Sequence, residues 1–358
     1  MTKYSTWIPK PLDILERYGL LVLFAAVILF FWLSGETPQF MTTANVQNVL
    51  SNESVLGIIA IGSVIPLAAG QIDLSVGPAA GLSSIVTAGM MSKSGLPLGV
   101  ALCAGIAIGA VVGLVNGLLV ARTGINSIIV TLGTTSIIAA IVQWYTSGLA
   151  LTTGISPSLV KIGLGTWLGI PRPFYFLLVA ALLVWYLLEY TPVGRYVYAT
   201  GTNAKAAELV GLGVPRLVLF SFVSAGILAG VAGVLLVAVQ SGGNPQIGPN
   251  YTLPALAAAF LGATTIKPGR YNIFGTLAAV FFLAFSVNGL TLWGTDVWVS
   301  DLFNGAALII AVGVAVVSGR RRRAAAPPAA ASADGDTADP STVPSGTETR
   351  IPDTVRAN

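Results

Sequence analysis

Long runs of uncharged, mostly apolar residues leave few folds open to this chain. Nineteen uncharged residues precede Asp73 and nineteen follow it, so one apolar stretch extends from Glu53 to Lys93. A helix that crosses a bilayer needs about 20 such residues. Over the whole chain 54% of residues are hydrophobic and 9% are charged, against about 25% charged in soluble domains. The sequence therefore predicts an all-α, polytopic membrane protein.

The charged residues divide the chain into ten predicted spans. The first span carries no small-residue cleavage site after it, which favours a retained helix over a signal peptide. We expect an N-terminal segment at 1–18, a membrane domain at 19–318 and a tail at 319–358. The predicted spans are 18–35, 53–70, 76–92, 97–120, 127–147, 173–190, 217–240, 252–266, 272–292 and 298–318.

The basic residues sort to one side of this arrangement. If the N-terminus is cytoplasmic, fifteen of the eighteen Lys and Arg residues fall inside, and only Lys93, Lys161 and Arg172 fall outside. The positive-inside rule favours this orientation, which places both termini in the cytoplasm. Arg320–Arg323 is then a stop-transfer cluster and not a nucleic-acid site. The composition of residues 324–358 predicts a disordered cytoplasmic tail.

The stretch from Glu53 to Lys93 is broken at Gly70–Gly77, which reads Gly-Gln-Ile-Asp-Leu-Ser-Val-Gly. Glycines, a serine and the following Pro78 suit a turn or an interrupted helix, whose freed backbone groups must line protein or water. A charge between two apolar runs is costly in lipid, so Asp73 needs a reason to be there.

Two further patterns concern helix packing. Val115–Leu118 recurs as Val287–Leu290, five predicted spans later. Because five is odd, the two copies face opposite ways, as in the inverted repeats of transporters. Glycines recur every fourth residue from Gly105 to Gly117, and Gly226–Gly233 has a similar spacing. They predict close helix packing, either inside one subunit or at a subunit interface.

The longest predicted cytoplasmic loop, residues 191–216, contains a short helix with clear boundaries. Thr202 or Asn203 can cap its start, and glycines from Gly211 onward end it. Two helical turns are marginal alone in water. The apolar side chains must therefore pack on a partner or on their own subunit; they are Ala206, Ala207, Leu209 and Val210.

The chain lacks the residues that several kinds of chemistry require. The chain has no histidine, no phosphate-binding loop and no carboxylate pair, and Cys103 is alone in an apolar run. We therefore expect no catalytic residue, cofactor or metal site. Asp73 is the main ionisable candidate at membrane depth, which disfavours coupling to protons or sodium ions. The energy is expected to come from another protein.

Five segments resemble permease subunits of ribose/xylose/arabinose-type sugar ABC importers, within the branched-chain-amino-acid/sugar permease superfamily. The resemblance covers residues 19–318 in order, and the family usually has glycine where this chain has Gln71. The matching segments are Gly57–Gly62, Gly70–Gly77, Thr131–Thr134, Gly194 to Gly211, and Val287–Leu290.

The resemblance implies a subunit of about ten helices in a bacterial inner membrane, paired with a second copy around a central pathway. It also implies a cytoplasmic ATPase and an extracytoplasmic sugar-binding protein as partners, and a monosaccharide as substrate. A homodimer is expected, and no nucleic acid. The short helix becomes the coupling helix that enters a cleft on the ATPase. Its expected residues are Asn203, Ala206, Ala207, Glu208, Leu209 and Gly211.

The resemblance makes the motif at Gly70–Gly77 a structural break near the pathway. Two interpretations of Asp73 stay open: a helix-capping carboxylate without sugar contact, or a group at the pathway. The motif residues are Gly70, Asp73, Leu74, Ser75 and Gly77. Candidate sugar contacts are polar side chains in apolar spans, namely Asn116, Gln143 and Asn288, whereas Trp144 and Trp293 suit the interfacial belt.

Two other functions compete with the importer. One is a self-sufficient secondary carrier of a small polar solute, and the other is a membrane scaffold or lipid-binding protein. The near absence of membrane-depth carboxylates disfavours the carrier, and the interrupted helices disfavour the scaffold. The sequence leaves the identity of the sugar open.

Overall fold

The computed structural model describes residues 11–325, and side chains over 17–296 and 298–313. The described residues up to Gly319 form one compact unit. The predicted tail from residue 326 onward lies outside the described residues. The helices are α1 (Pro11–Leu33), α2 (Thr43–Ala68), α3 (Val76–Ser92), α4 (Leu98–Thr123), α5 (Ser127–Thr146), α6 (Pro157–Leu164), α7 (Arg172–Tyr190), α8 (Pro192–Thr202), α9 (Ala204–Leu209), α10 (Val214–Gln240), α11 (Thr252–Gly262), α12 (Ile273–Leu292) and α13 (Val297–Ala325).

The helices are compatible with a polytopic membrane protein. Six of them, α2, α4, α5, α7, α10 and α12, are long and apolar enough to cross a bilayer. Shorter apolar stretches lie in α1 and α13, and α3 and α11 contain 17 and 11 residues. Every predicted span coincides with a helix, and ten complete crossings stay a prediction.

Several helix boundaries that were predicted from charged and polar residues differ from those in the structure. Helix α2 begins at Thr43, ten residues before the predicted start at Glu53. The side chain of Thr42 caps it by accepting a hydrogen bond from the Asn45 backbone N–H, 3.4 Å away. Glu53 is half-buried inside the helix, so this charge does not end the apolar span. Two segments predicted as loops contain the helices α6 and α8.

Helices α4 and α10 approach each other backbone to backbone at the centre of the bundle. A side-chain carbon placed on Gly109 would collide with the Gly226 carbonyl, and one on Gly113 would collide with the Phe222 carbonyl. Small residues at such a crossing let two helices come close. The glycine spacing therefore serves packing inside one subunit, the first of the two predicted alternatives.

The bundle has two ends, which we name after nearby short helices. The α9 end contains residues 69–75, 121–126, 191–213 and 263–271. The α6 end contains residues 93–97 and 147–171, including the antiparallel hairpin of β1 (Thr166–Trp167) and β2 (Ile170–Pro171).

Residues 241–251 run through the interior with little regular structure. Gly243 pairs with Leu151 at the α6 end through two backbone hydrogen bonds of 2.8 and 3.0 Å. Further along, Gly248 lies directly against Gly77 and Gly81 of α3. The segment thus descends along α3 before α11 begins. Its glycines Gly242, Gly243 and Gly248 are buried against protein, whereas Gln246, Pro249 and Asn250 are exposed.

Candidate functional site

The predicted break is real and is stabilised by its own carboxylate. Helix α2 ends at Ala68, Gly70 has a left-handed φ of +78°, and α3 starts at Val76. Asp73 is 3% exposed. Its Oδ1 accepts hydrogen bonds from the Ser75 backbone N–H at 2.8 Å and from the Ser75 hydroxyl at 2.6 Å. These bonds hold a turn directly before α3, whose N-cap residue is Ser75, and both interpretations of Asp73 stay predictions.

A stripe of hydroxyl groups on α5 binds the backbone of the break. The Ser127 hydroxyl accepts a hydrogen bond from the Ile72 backbone N–H at 3.2 Å, and the Thr131 hydroxyl accepts one from Leu74 at 3.1 Å. Thr135 donates to the Leu74 carbonyl at 3.3 Å. Sequence reasoning missed Ser127 and Thr135, although hydroxyl residues every fourth position on an apolar span were a usable signal.

Asn116 connects the break to both neighbouring helices. Its side-chain Nδ2 donates to the Ser75 hydroxyl at 2.8 Å, and its Oδ1 accepts from the Thr134 hydroxyl at 2.6 Å. The residue is fully buried. A hydrogen-bonded chain therefore runs from Asp73 through Ser75 and Asn116 of α4 to Thr134 of α5.

Two of the three candidate sugar contacts are engaged elsewhere. Both ends of the Asn116 amide are used inside the protein. The Asn288 amide forms a reciprocal pair with Asn45 of α2, at 2.8 and 3.1 Å. Both amides thus pair helices in this structure, and sugar contact by Asn116 and Asn288 stays a prediction.

The loop at 191–213 is packed directly on the break. Gly201 of α8 lies against Gly70 so closely that a side-chain carbon on Gly201 would collide with the Ala68 carbonyl. At the other side of α8, the Tyr198 hydroxyl donates to the Tyr271 carbonyl at 2.5 Å. Burial raises the pKa of the Tyr198 hydroxyl, with Arg270 opposing this shift, so the group stays a donor at neutral pH.

Helix α9 presents two different faces. Asn203 caps it, as predicted, by accepting a hydrogen bond from the Ala206 backbone N–H at 3.0 Å. Ala207 is 4% exposed and packs with Val120 of α4 and Phe222 of α10, whereas Leu209 is 89% exposed. Ala206, Glu208 and Gly211 are exposed as well. Ala207 therefore packs on its own subunit, and Leu209 is left facing outward, together with Val210.

One strip of the exposed surface of α5 contains small and polar residues, although Leu132, Ile137, Ile141 and Trp144 beside it are large, apolar and exposed. Five residues of this strip, all exposed, are Ile129, Gly133, Ser136, Ala140 and Gln143. Their spacing of three or four residues puts them on one side of the helix. The exposed residues of α7 are large and apolar by comparison, including Phe176, Val179, Leu182 and Leu183. Within α5, this strip alone offers space and hydrogen-bonding groups at the exposed surface.

Gln143 is the one candidate sugar contact that lies at a cavity. About 140 Å³ of space lies between α3, α5 and the descending segment, with Pro78, Gly81 and Gln246 also lining it. Sequence reasoning had missed the descending segment, because its Gly- and Pro-containing sequence between two spans looked like an ordinary loop.

Glu53 is a second carboxylate within the helical bundle. It is half-buried on α2. The sequence analysis had taken Glu53 as the edge of a span. Within residues 11–325 no three His, Cys, Asp or Glu residues are grouped as a metal site.

Comparison with known proteins places these features in a family. The family described as branched-chain amino acid transport system / permease component matches residues 45–312. The ribose import permease protein RbsC of Bacillus subtilis is 36% identical over 84% of this chain and 92% of its own.

Two other relatives carry different sugar names. The L-arabinose ABC transporter permease protein AraH of Azospirillum brasilense is 32% identical over 84% of this chain and 87% of its own. The D-allose transport system permease protein AlsC of Escherichia coli is 31% identical over 83% and 90%. No solved structure matches. Since the matches extend from α2 into α13, the chain belongs to the branched-chain amino acid transport system / permease component family of membrane permeases.

Proposed function

We propose that this chain forms the membrane pathway of an ATP-binding-cassette importer for a monosaccharide. A binding protein outside the membrane delivers the sugar, and a separate ATPase drives its passage. The observation that carries the proposal is that relatives named for ribose, L-arabinose and D-allose match more than four-fifths of the chain. Their shared substrate class is the monosaccharide, and none of the three sugars is singled out.

The proposed topology has ten crossings with both termini in the cytoplasm. The α9 end is the cytoplasmic end, because it is the more basic of the two ends. Its basic residues include Arg195, Lys205, Lys267 and Arg270. The α6 end contains only Lys93 and Lys161, and Arg172 begins α7 directly beyond it. The positive-inside rule supports this orientation, which also places α9 where a cytoplasmic ATPase can reach it.

The small, partly polar strip of α5 supports a pathway between two copies of the chain. A helix exposed to lipid gains by presenting large apolar side chains, as α7 does. Gly133, Ser136 and Gln143 instead offer space and hydrogen-bonding groups. In a homodimer with α5 at the two-fold axis, these residues line the pathway, and Gln143 offers an amide to a sugar hydroxyl.

The contacts on the cytoplasmic side provide a route from the ATPase to α5. Leu209 on α9 docks on the ATPase, and α8 transmits the displacement through the contact of Gly201 with Gly70. The break moves α5 through the hydroxyls of Ser127 and Thr131. Because every step is a packed contact or a hydrogen bond, closure of the ATPase can tilt α5 and switch the pathway between the two sides.

Purification and transport test the proposal directly. The tagged chain, taken gently from its native membranes, is expected to bring an ATPase with it. In proteoliposomes with that ATPase and its binding protein, monosaccharide uptake should require ATP hydrolysis and persist when the proton gradient is collapsed.

Glu53 is the observation that favours the runner-up, a secondary carrier, because membrane-depth carboxylates serve as proton sites in such proteins. Uptake by the chain alone, abolished by collapse of the proton gradient and by Glu53→Gln, would establish the carrier and overturn the importer.

A further inference from the structure

An apolar groove opens on the outside of the bundle near the α6 end. It lies between α4, α6, α7 and α10 and has a volume of about 200 Å³. Ile106, Ile162, Phe176 and Val231 contribute one wall each, and the rest of the lining is apolar too. The descending segment and the α5 strip do not line this groove, so it is separate from the proposed pathway.

The groove follows the part of α10 that lies nearest to the α6 end. Its lining on α10 extends from Val231 to Ala238, which is about 10 Å at 1.5 Å per residue. Its upper edge lies at α6 and at the first turn of α7, where the chain leaves the bundle. Half the hydrocarbon thickness of a bilayer is about 15 Å, so the groove has the depth at which lipid acyl chains lie.

Two basic residues stand at the upper edge of the groove. Lys161 precedes Ile162 on α6, and Arg172 lies one turn before Phe176 on α7. The Arg172 Nη1 donates to the Lys161 carbonyl at 3.0 Å. Its Nε is buried and has no hydrogen-bond partner among the described residues. The ion pairs of the described residues join Glu189 to Lys267 and Arg270, and neither Lys161 nor Arg172 takes part in them.

Aromatic and apolar side chains beside these cations mark the membrane interface. The guanidinium of Arg172 lies 5.2 Å from the ring centre of Trp167 on β1. Leu168, at the tip of the hairpin, is 98% exposed. Tryptophan beside exposed apolar residues is typical of the headgroup level of a bilayer, so the two cations lie where phosphate groups are found.

We propose that the groove binds an acyl chain of a glycerophospholipid whose phosphate group contacts Lys161 and Arg172. A soluble anion would leave the groove unfilled, and a purely apolar partner would leave both cations unpaired, whereas a phospholipid satisfies both. With the proposed orientation the lipid belongs to the outer leaflet. Bound there, it holds α6 against α4 and α10.

Lipid retention by the purified full-length chain tests the site. The chain is reconstituted with phosphatidylglycerol that carries a photoreactive group in its acyl chain, delipidated in detergent, and analysed by native mass spectrometry and peptide mapping. The unsubstituted chain should retain one phospholipid per copy, with crosslinks on α4, α6 and α10.

Three variants separate the groove from the general lipid surface. Ile162→Trp fills the groove and Arg172→Gln removes the guanidinium, so each should lower retention at least fivefold. Leu183→Trp, on an exposed part of α7 outside the groove, should retain lipid like the unsubstituted chain. Lys161→Gln replaces Arg172→Gln if the latter does not elute as a folded protein.

Two results would overturn the proposal: equal retention by all variants, or crosslinks confined to other helices. Crosslinks between two copies of the chain at the groove would also overturn it, since a protein would then cover the site. The readout does not involve transport, so failure of the importer hypothesis would leave this result interpretable.

Discussion

Asp73 shows how hydrogen bonds stabilise a carboxylate that is buried among apolar residues. Its carboxylate is buried, and it accepts both the backbone N–H and the hydroxyl of Ser75. A carboxylate that bonds a backbone group two residues ahead stabilises a turn in competition with a helix. The carboxylate between α2 and α3 thus stabilises the turn that interrupts the helix. Asn116 donates a hydrogen bond to Ser75 and so connects this turn to α4.

Two substitutions of Asp73 distinguish the contribution of its hydrogen bonds from that of its negative charge. Asp73→Ala leaves two donors of Ser75 without an acceptor, which costs about 1–3 kcal/mol when they are buried. Asp73→Asn keeps an acceptor oxygen, so we expect most of the thermal stability and uptake to return. Thermal unfolding in detergent and uptake in proteoliposomes measure both. Equal damage by the two variants would show that the charge itself is required.

At the scale of elements, the short helix α9 shows how a surface helix is positioned for a partner. Six residues cannot hold a helix in water by themselves, and Ala207 supplies the missing stability by packing against α4 and α10. That anchoring orients Leu209 away from the subunit. One face of the helix therefore stabilises it, and the other face is exposed.

Two substitutions by aspartate on α9 are expected to lower uptake for different reasons, one by weakening ATPase docking and the other by impairing folding. Leu209→Asp should leave expression and unfolding temperature unchanged but lower ATP-driven uptake roughly tenfold, as loss of about 1.4 kcal/mol of docking energy predicts. Ala207→Asp should instead reduce the amount of folded protein, because it buries an unpaired carboxylate. Size-exclusion profiles and uptake distinguish the two. Normal uptake by Leu209→Asp would remove α9 as the ATPase contact.

At the scale of the whole molecule, the exposed surface divides into faces of different chemistry. Helix α7 presents large apolar side chains, whereas α5 combines exposed large apolar residues with one strip that is small and partly polar. The centre is held by the backbone contact of α4 with α10, which leaves α5 at the periphery. We expect the small, partly polar strip of α5 to face a second copy and the pathway.

Thiol chemistry can test this division of the surface. In a Cys103→Ser background, Ser136→Cys should react with a charged thiol reagent at least tenfold faster than Leu182→Cys, because thiolates form in water and not in lipid. A short bis-maleimide should also join two Ser136→Cys chains. Equal rates, or dimers only through Leu182→Cys, would place the pathway elsewhere.

Hydropathy and charge by themselves located the ten long apolar segments that form helices, but not the start of α2 or the helices α6 and α8. Glycine, serine and proline residues located the break at Gly70–Gly77, and the sequence narrowed the cap of α9 to Thr202 or Asn203. The pairing of Asn116 with Ser75, the inward turn of Ala207, the burial of Glu53 inside α2 and the descent of residues 241–251 depend on which helices are neighbours. Those contacts join residues far apart in the chain, so only the tertiary structure decided them.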